Sequence, residues 1–178
     1  MLFLKNKLKL RNYQEQILGK IVGKNSFVVL PTGAGKTIIA IALAALNIDK
    51  GKILIMAPTK PLTVQHEKSF KEYFQPEEKI IHLTGAIPPI RRKELWKTSK
   101  IICATPQTIE SDLIKRYFKP EDISLVVFDE AHRAVGEYAY VWLAKQFGKT
   151  SQILALSASP ASDKERLELI KENLKIDN

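Results

Sequence analysis

Apolar residues in this chain follow two alternating patterns. Short, nearly continuous runs such as Phe27-Val28-Val29-Leu30, Ile53-Leu54-Ile55-Met56, Ile101-Ile102-Cys103-Ala104 and Leu125-Val126-Val127-Phe128 read as strands covered on both faces. Strands are predicted over 27–30, 52–57, 79–84, 100–104, 124–129 and 152–157. Segments with helical spacing lie between them and predict helices over 12–23, 36–48, 61–74, 89–98, 107–116, 138–147 and 163–173. Such alternation predicts an α/β fold, a mostly parallel sheet with helices on both faces. Pro58, Pro61, Pro88, Pro89, Pro106, Pro120 and Pro160 stand at strand ends or helix starts, where a missing N–H is tolerated. There is no internal repeat or low-complexity tract.

A length of 178 residues with 45% hydrophobic content fits one domain with an ordinary core. No apolar run reaches the roughly 18 residues a membrane span needs, so no membrane partner is expected. Lys5, Lys7 and Lys9 alternate with leucines, and no apolar stretch with a small-residue cleavage site follows, so a signal peptide is not expected. The single cysteine, Cys103, sits within an apolar run and reads as a buried structural thiol. The expected location is cytoplasmic. A net charge of +9, from 28 basic and 19 acidic residues, suits a polyanionic partner, although a basic balance also occurs without one.

Chemistry concentrates at strand ends. Thr32–Thr37, Thr59-Lys60, Thr84-Gly85, Thr105-Pro106, Asp129–His132 and Ser157–Ser159 each fall at the carboxyl end of a predicted strand. Ligands of open parallel sheets bind beyond these carboxyl ends. The first cluster, Thr32-Gly33-Ala34-Gly35-Lys36-Thr37, runs from a strand into a helix, as a phosphate-binding loop must. Small residues let several backbone N–H groups face one anion, and the helix N-terminus adds partial positive charge. Lys36 can reach the β- and γ-phosphates of ATP, and the Thr37 hydroxyl can hold Mg²⁺. Leu30 stands where the general pattern has glycine, which leaves open a tight turn with an exposed lysine.

The strand Ser124–Phe128 delivers Asp129 and Glu130 at its tip. A hard cation that keeps much of its water needs few carboxylates, so Asp129 suits Mg²⁺ beside Thr37. Glu130 is placed to orient and deprotonate a water attacking the γ-phosphate. Taken alone, the pair could equally be a helix N-terminal charge pair.

Together these motifs carry a resemblance. Thr32–Thr37, Asp129-Glu130-Ala131-His132 and Ser157-Ala158-Ser159 resemble motifs I, II and III of superfamily 2 helicases, in the order found in the first of that family's two RecA-like domains. Leu30 then belongs to the helicase variant of the loop. Ala57–Leu62, Ala104–Glu110 and Phe128–Gly136 look more narrowly like archaeal Hef and the Fanconi anaemia M-type helicases. The likeness runs from about Arg11 to Pro160 and implies a three-layer RecA-like P-loop NTPase domain.

By the same resemblance, Gln14 would read adenine with Arg11 nearby, within Arg11-Asn12-Tyr13-Gln14, a stretch that alone is an ordinary polar helix start. Thr32, Gly33, Ala34, Gly35, Lys36 and Thr37 would hold the nucleotide; Lys36, Asp129 and Glu130 would be catalytic; Thr37 and Asp129 would hold the metal. Thr59, Lys60, Thr84, Gly85, Thr105 and Pro106 would grip one nucleic acid strand by its backbone, without base readout. His132, Ser157 and Ser159 would couple the two sites. His66 and Gln65 read as solvated positions on the helix after Lys60. Arg91-Arg92-Lys93 beside Trp96 could touch nucleic acid, but the favoured reading is a solvated helix face with Trp96 packed inward; Lys115-Arg116 and Lys164-Glu165-Arg166 also read as solvated.

The implied protein is an ATP-dependent helicase or translocase acting on branched or forked DNA in repair, with residues 1–178 as its ATP-binding domain. Motifs resembling the second RecA-like domain, its arginine finger or a nuclease are not found in these residues. The domain by itself is therefore expected to bind ATP weakly and turn it over slowly. Two alternatives are a motor domain directed at double-stranded RNA, as in Dicer, and a non-hydrolysing nucleotide or nucleic acid binding module.

Overall fold

The computed structural model describes residues 3–4, 8–136, 138–158 and 164–176. In chain order the elements are β1 (Phe3–Leu4), α1 (Asn12–Ile21), β2 (Ser26–Val29), α2 (Lys36–Asn47), β3 (Lys52–Met56), α3 (Lys60–Tyr73), β4 (Phe74–Gln75), β5 (Ile80–Leu83), α4 (Pro89–Thr98), β6 (Ile101–Ala104), α5 (Pro106–Ile114), β7 (Ile123–Phe128), α6 (Ala139–Phe147), β8 (Gln152–Ser157) and α7 (Lys164–Asn173). Six strands pair in parallel in the order β2-β8-β7-β3-β6-β5. Helices cover both faces, which makes this a three-layer RecA-like α/β fold. All six predicted strands and seven predicted helices are present, displaced by no more than a residue or two at most ends. The antiparallel pair β1–β4 was not anticipated; two-residue strands are too short to carry a periodic signal. No helix among the described residues is long and apolar enough to cross a membrane.

Period-2 geometry divides the apolar runs between two cores. Leu54, Met56, Ile102, Ala104, Val126, Phe128, Ile153 and Ala155 pack with Trp96 of α4, Ile109 of α5, Phe147 of α6 and Ile170 of α7. Their neighbours Ile53, Ile55, Ile101, Cys103, Leu125, Val127, Leu154 and Leu156 pack with Ile21 of α1, Ile39 and Leu43 of α2, and Phe70 of α3. Burying one such large side chain contributes about 1.5–3 kcal/mol, so both halves of each run hold their strand at the centre of the sandwich. Burial pushes the Cys103 thiol well above its ordinary range, which suits a structural thiol.

Gly51 marks a close approach that the apolar pattern does not show. A Cβ there would lie 2.9 Å from the Ser124 amide nitrogen and 3.0 Å from the Asp122 carbonyl oxygen. Both are backbone atoms that cannot yield without moving the entry to β7. Gly51→Ala is expected to destabilise the chain by about 1–3 kcal/mol, the range for overpacking. In urea unfolding this lowers the midpoint without changing the slope.

Candidate nucleotide site and nucleic acid face

Strand order places the chemistry in a row. Reading across the carboxyl edge from β2 to β5, the chain presents the Thr32–Thr37 loop, Ser157, Asp129-Glu130, Thr59-Lys60, Thr105-Pro106 and Thr84-Gly85. Neighbouring strands lie about 4.8 Å apart, so the first three groups form one half of the edge and the last three the other.

In the first half the loop is built around left-handed backbone. Gly33 has φ 80°. Gly35, the residue before α2, has φ 83° and ψ 36°, and its amide region faces Gln14, whose Nε2 a Cβ at position 35 would strike. The left-handed conformation favours glycine there, and a Cβ would also push the end of the Gln14 side chain aside. The turn is closed by the Ala34 amide donating to the Pro31 carbonyl at 3.1 Å. Lys36 Nζ donates to the Leu30 carbonyl at 3.1 Å, and the Leu30 amide donates to the Ser157 carbonyl at 3.1 Å. Leu30 therefore continues the β2–β8 ladder, a role open to any residue with a backbone N–H.

A cavity of about 300 Å³ opens over this loop, lined by Thr32, Gly33, Gly35, Lys36, Thr37, Leu62, Gln65, His66, Asp129 and Glu130. Every predicted nucleotide-site residue on the loop except Ala34 lines it, together with both carboxylates. Ala34 is held from behind: its carbonyl accepts from the Tyr13 hydroxyl at 2.7 Å and from Gln14 Nε2 at 3.3 Å. Gln14 Oε1 accepts from the Arg11 amide at 2.9 Å. The buried Gln14 thus ties α1 to the loop with both ends of its amide, while the Arg11 side chain is exposed.

His66 corrects the sequence reading. It is buried, 6% exposed, and its Nε2 donates to Asp129 Oδ2 at 2.8 Å. Its Nδ1 is buried without a hydrogen-bond partner among the described residues. Gln65 is exposed, as expected, yet lines the cavity. A signal for His66 existed: on α3 it shares a face with the buried Thr63 and Phe70, at helical spacings of three and four. The Asp129 backbone is pinned from the other side, its amide donating to the Met56 carbonyl at 2.9 Å and its carbonyl accepting from the Tyr140 hydroxyl at 2.8 Å. Burial raises the Tyr140 hydroxyl well above its ordinary range, which keeps it a donor.

Glu130 occupies the left-handed region, φ 53° and ψ 46°, at a cost of about 1–2 kcal/mol for a side chain. This reversal leads straight into the 3₁₀ turn Ala131–Arg133 and leaves the Glu130 carboxylate on the cavity. His132 Nδ1 lies 3.3 Å from Glu130 Oε2 and 3.1 Å from Ser157 Oγ. Of the three predicted coupling positions, His132 thereby bridges Ser157 and the predicted catalytic Glu130; Ser159 lies outside the described residues.

The second half of the edge has its own groove, about 400 Å³, lined by Gly85, Pro89, Arg92, Thr105, Gln107, Thr108, Ser111 and Lys115. Thr105 stands at the N-cap position of α5 without a side-chain capping bond, and its hydroxyl shares a 2.8 Å hydrogen bond with that of Thr108. Gly85 is exposed and Thr105 half-buried, whereas Thr84 and Pro106 are buried. Thr59 and Lys60 are exposed at the start of α3, outside this groove. Trp96 is buried as expected, but Arg92 is buried with it, 4% exposed. It does not belong to the solvated basic face. Lys115 is exposed as expected, yet borders the groove.

The DEAD/DEAH box helicase family model matches residues 11–167. The chain belongs to this family. A solved structure of the Pyrococcus furiosus Hef helicase domain superposes on this helicase chain with a TM-score of 0.94 at 45% identity, covering 100% of the chain and 39% of the other. A Methanocaldococcus jannaschii protein provisionally named an ATP-dependent RNA helicase is 44% identical over 174 residues, 96% of this chain and 22% of that protein. The Drosophila melanogaster DEAD-box ATP-dependent DNA helicase Fancm is 40% identical over 185 residues, 97% of this chain and 12% of that one. The chain thus spans less than a quarter of the length of these two relatives, and its resemblance to the Hef and Fancm helicases is shown.

Proposed function

We propose that this chain is the ATP-binding motor domain of a DNA-directed helicase or translocase that works on branched or forked DNA in repair. The observation that supports it most is the row of loops on one sheet edge, with a cavity over the Thr32–Thr37 loop and both carboxylates in one half and a second groove in the other. The loop N–H groups and the N-terminus of α2 would face the phosphates of ATP. Lys36 would exchange the Leu30 carbonyl for phosphate oxygen. The donors that Thr37 and Asp129 offer are few and all oxygen, a set that fits Mg²⁺ with water completing its shell. Bound there, Mg²⁺ would neutralise charge on the β- and γ-phosphates. Glu130 would take the proton of the attacking water as ADP and phosphate form. His132 would carry the change at Glu130 to Ser157, whose carbonyl already holds Leu30 at the base of the loop.

Across the edge, Thr59, Lys60, Gly85 and Thr105 would contact the sugar-phosphate backbone through hydroxyls, helix-start N–H groups and one ammonium, while Thr84 and Pro106 shape their loops. A second RecA-like domain would close over both halves and supply an arginine worth on the order of 10³–10⁵ in rate. Without it this chain is half of an ATP site and turns over slowly.

Hydrolysis by the complete motor is expected to respond more strongly to forked DNA than to double-stranded RNA at matched salt. Equal or greater stimulation by the RNA would refute the DNA assignment and favour the reading suggested by the name of the Methanocaldococcus relative. Stimulation by neither would leave only a binding module.

A further inference from the structure

Beneath the groove lies a buried charge that neither the ATP site nor the proposed strand-binding residues use. Arg92 of α4 and Asp112 of α5 form an ion pair whose side chains are 5% and 0% exposed. Arg92 Nε donates to both carboxylate oxygens, at 2.8 and 3.1 Å. A different nitrogen of the same guanidinium, Nη1, donates to the Ile87 carbonyl at 2.6 Å. Ile87 closes the turn that carries Gly85, its amide donating to the Thr84 carbonyl at 3.0 Å. Asp112 also accepts from Trp96 Nε1 at 3.0 Å, and the Trp96 ring stacks on Phe118 with centroids 3.8 Å apart. One planar fork therefore joins three pieces: the Thr84–Ile87 turn, α4 and α5.

Stability alone does not call for this arrangement. Buried ion pairs can often be replaced by packed apolar groups without loss, whereas they fix geometry through directional bonds. Lysine could neutralise Asp112 but could not bond in two directions from a rigid plane. The bonds run from the Thr84–Ile87 turn to Asp112 near the C-terminal end of α5; the helix carries Thr105 at its other end to the groove, which Arg92 itself lines beside Gly85 and Thr105.

We infer that the Arg92–Asp112 pair is a positioning element for nucleic acid, setting the spacing of the Thr84–Ile87 turn and the start of α5 so that both meet the phosphates of one strand. This rests on the proposed reading of the groove. The test measures a single-stranded DNA oligonucleotide by fluorescence anisotropy over a salt series on the intact chain, with a fluorescent ATP analogue reporting the fold. Asp112→Asn removes a negative charge, so simple attraction predicts tighter oligonucleotide binding. Positioning predicts the opposite: about tenfold weaker binding, as when one charge-assisted bond is lost, and a salt slope shallower by about 0.7 for each phosphate that is no longer engaged. Arg92→Lys should behave alike despite keeping its charge, and ATP-analogue binding should stay at the unmodified level.

Removing one partner of a buried pair can unfold a protein, so the double variant Arg92→Met with Asp112→Leu serves as the packed replacement. It should bind the ATP analogue normally and the oligonucleotide weakly. If it binds the oligonucleotide as tightly as the unmodified chain, the inference is wrong. If neither single nor double variants bind the ATP analogue, the pair holds the fold rather than the groove, and the inference falls as well. Lys115→Glu, which alters the groove surface, separates the two levels. Weakening by Lys115→Glu with no change in the pair variants sinks only the positioning role. No weakening by Lys115→Glu removes the groove reading and the inference with it.

Discussion

Glu130→Gln lowers the rate of ATP hydrolysis in the complete motor by about 10²–10⁴-fold, the usual contribution of a positioned general base, and leaves ATP affinity nearly unchanged. Glutamine keeps the size of the side chain and its place on the cavity wall beside Thr37 and Asp129, so the nucleotide still meets the same surface. It cannot accept the water's proton. Lys36→Ala acts first on binding. It removes the ammonium that now rests on the Leu30 carbonyl, and with it charge-assisted bonds worth about 1.5–3 kcal/mol, so ATP binding weakens by roughly 10- to 100-fold. Isothermal titration and steady-state kinetics on the same preparations separate the two. Turnover by Glu130→Gln at the unmodified rate would place the base elsewhere.

His66→Ala raises the Mg²⁺ concentration needed for half-maximal nucleotide binding by about 10–100-fold, the range for residues that orient a metal-binding carboxylate. The imidazole holds Asp129 Oδ2 at 2.8 Å while the Asp129 backbone is held separately through Met56 and Tyr140. Losing His66 therefore frees the carboxylate to rotate without displacing its strand. His66→Gln, which can still donate from a similar distance, should recover part of the loss. Nucleotide binding without Mg²⁺ should not respond to either change. An unaltered Mg²⁺ dependence in His66→Ala would reduce His66 to packing beneath the loop.

The candidate site was legible where its chemistry is local. Thr32–Thr37 needs only its own glycines and the helix that follows, and Asp129-Glu130 needs only an apolar run before it. Helical spacing could have marked His66 as buried, but its partner was hidden because it is 63 residues away and α3 gives no sign of which strand tip it will face. Arg92 was misread for a related reason. Between Arg91 and Lys93 it looks like one member of a solvated cluster, and only Asp112, brought in by the packing of α5 on α4, makes it a buried ion. The left-handed turn at Glu130 also escaped, since such backbone favours glycine and only the neighbouring Asp129, held by Met56 and Tyr140, fixes the chain at this point.

By itself, then, the sequence determined the strands and helices, the division of each apolar run between two cores, and the loops that carry the motifs. These follow from period, from steric limits on glycine and proline, and from side-chain chemistry within a few residues. Tertiary structure alone decided the order β2-β8-β7-β3-β6-β5, and with it which loops became neighbours. That order set His66 against Asp129, His132 between Glu130 and Ser157, and Arg92 beneath the groove. The physical reason is that strand order is fixed by long-range pairing and helix packing, for which no segment of the chain carries a local signal.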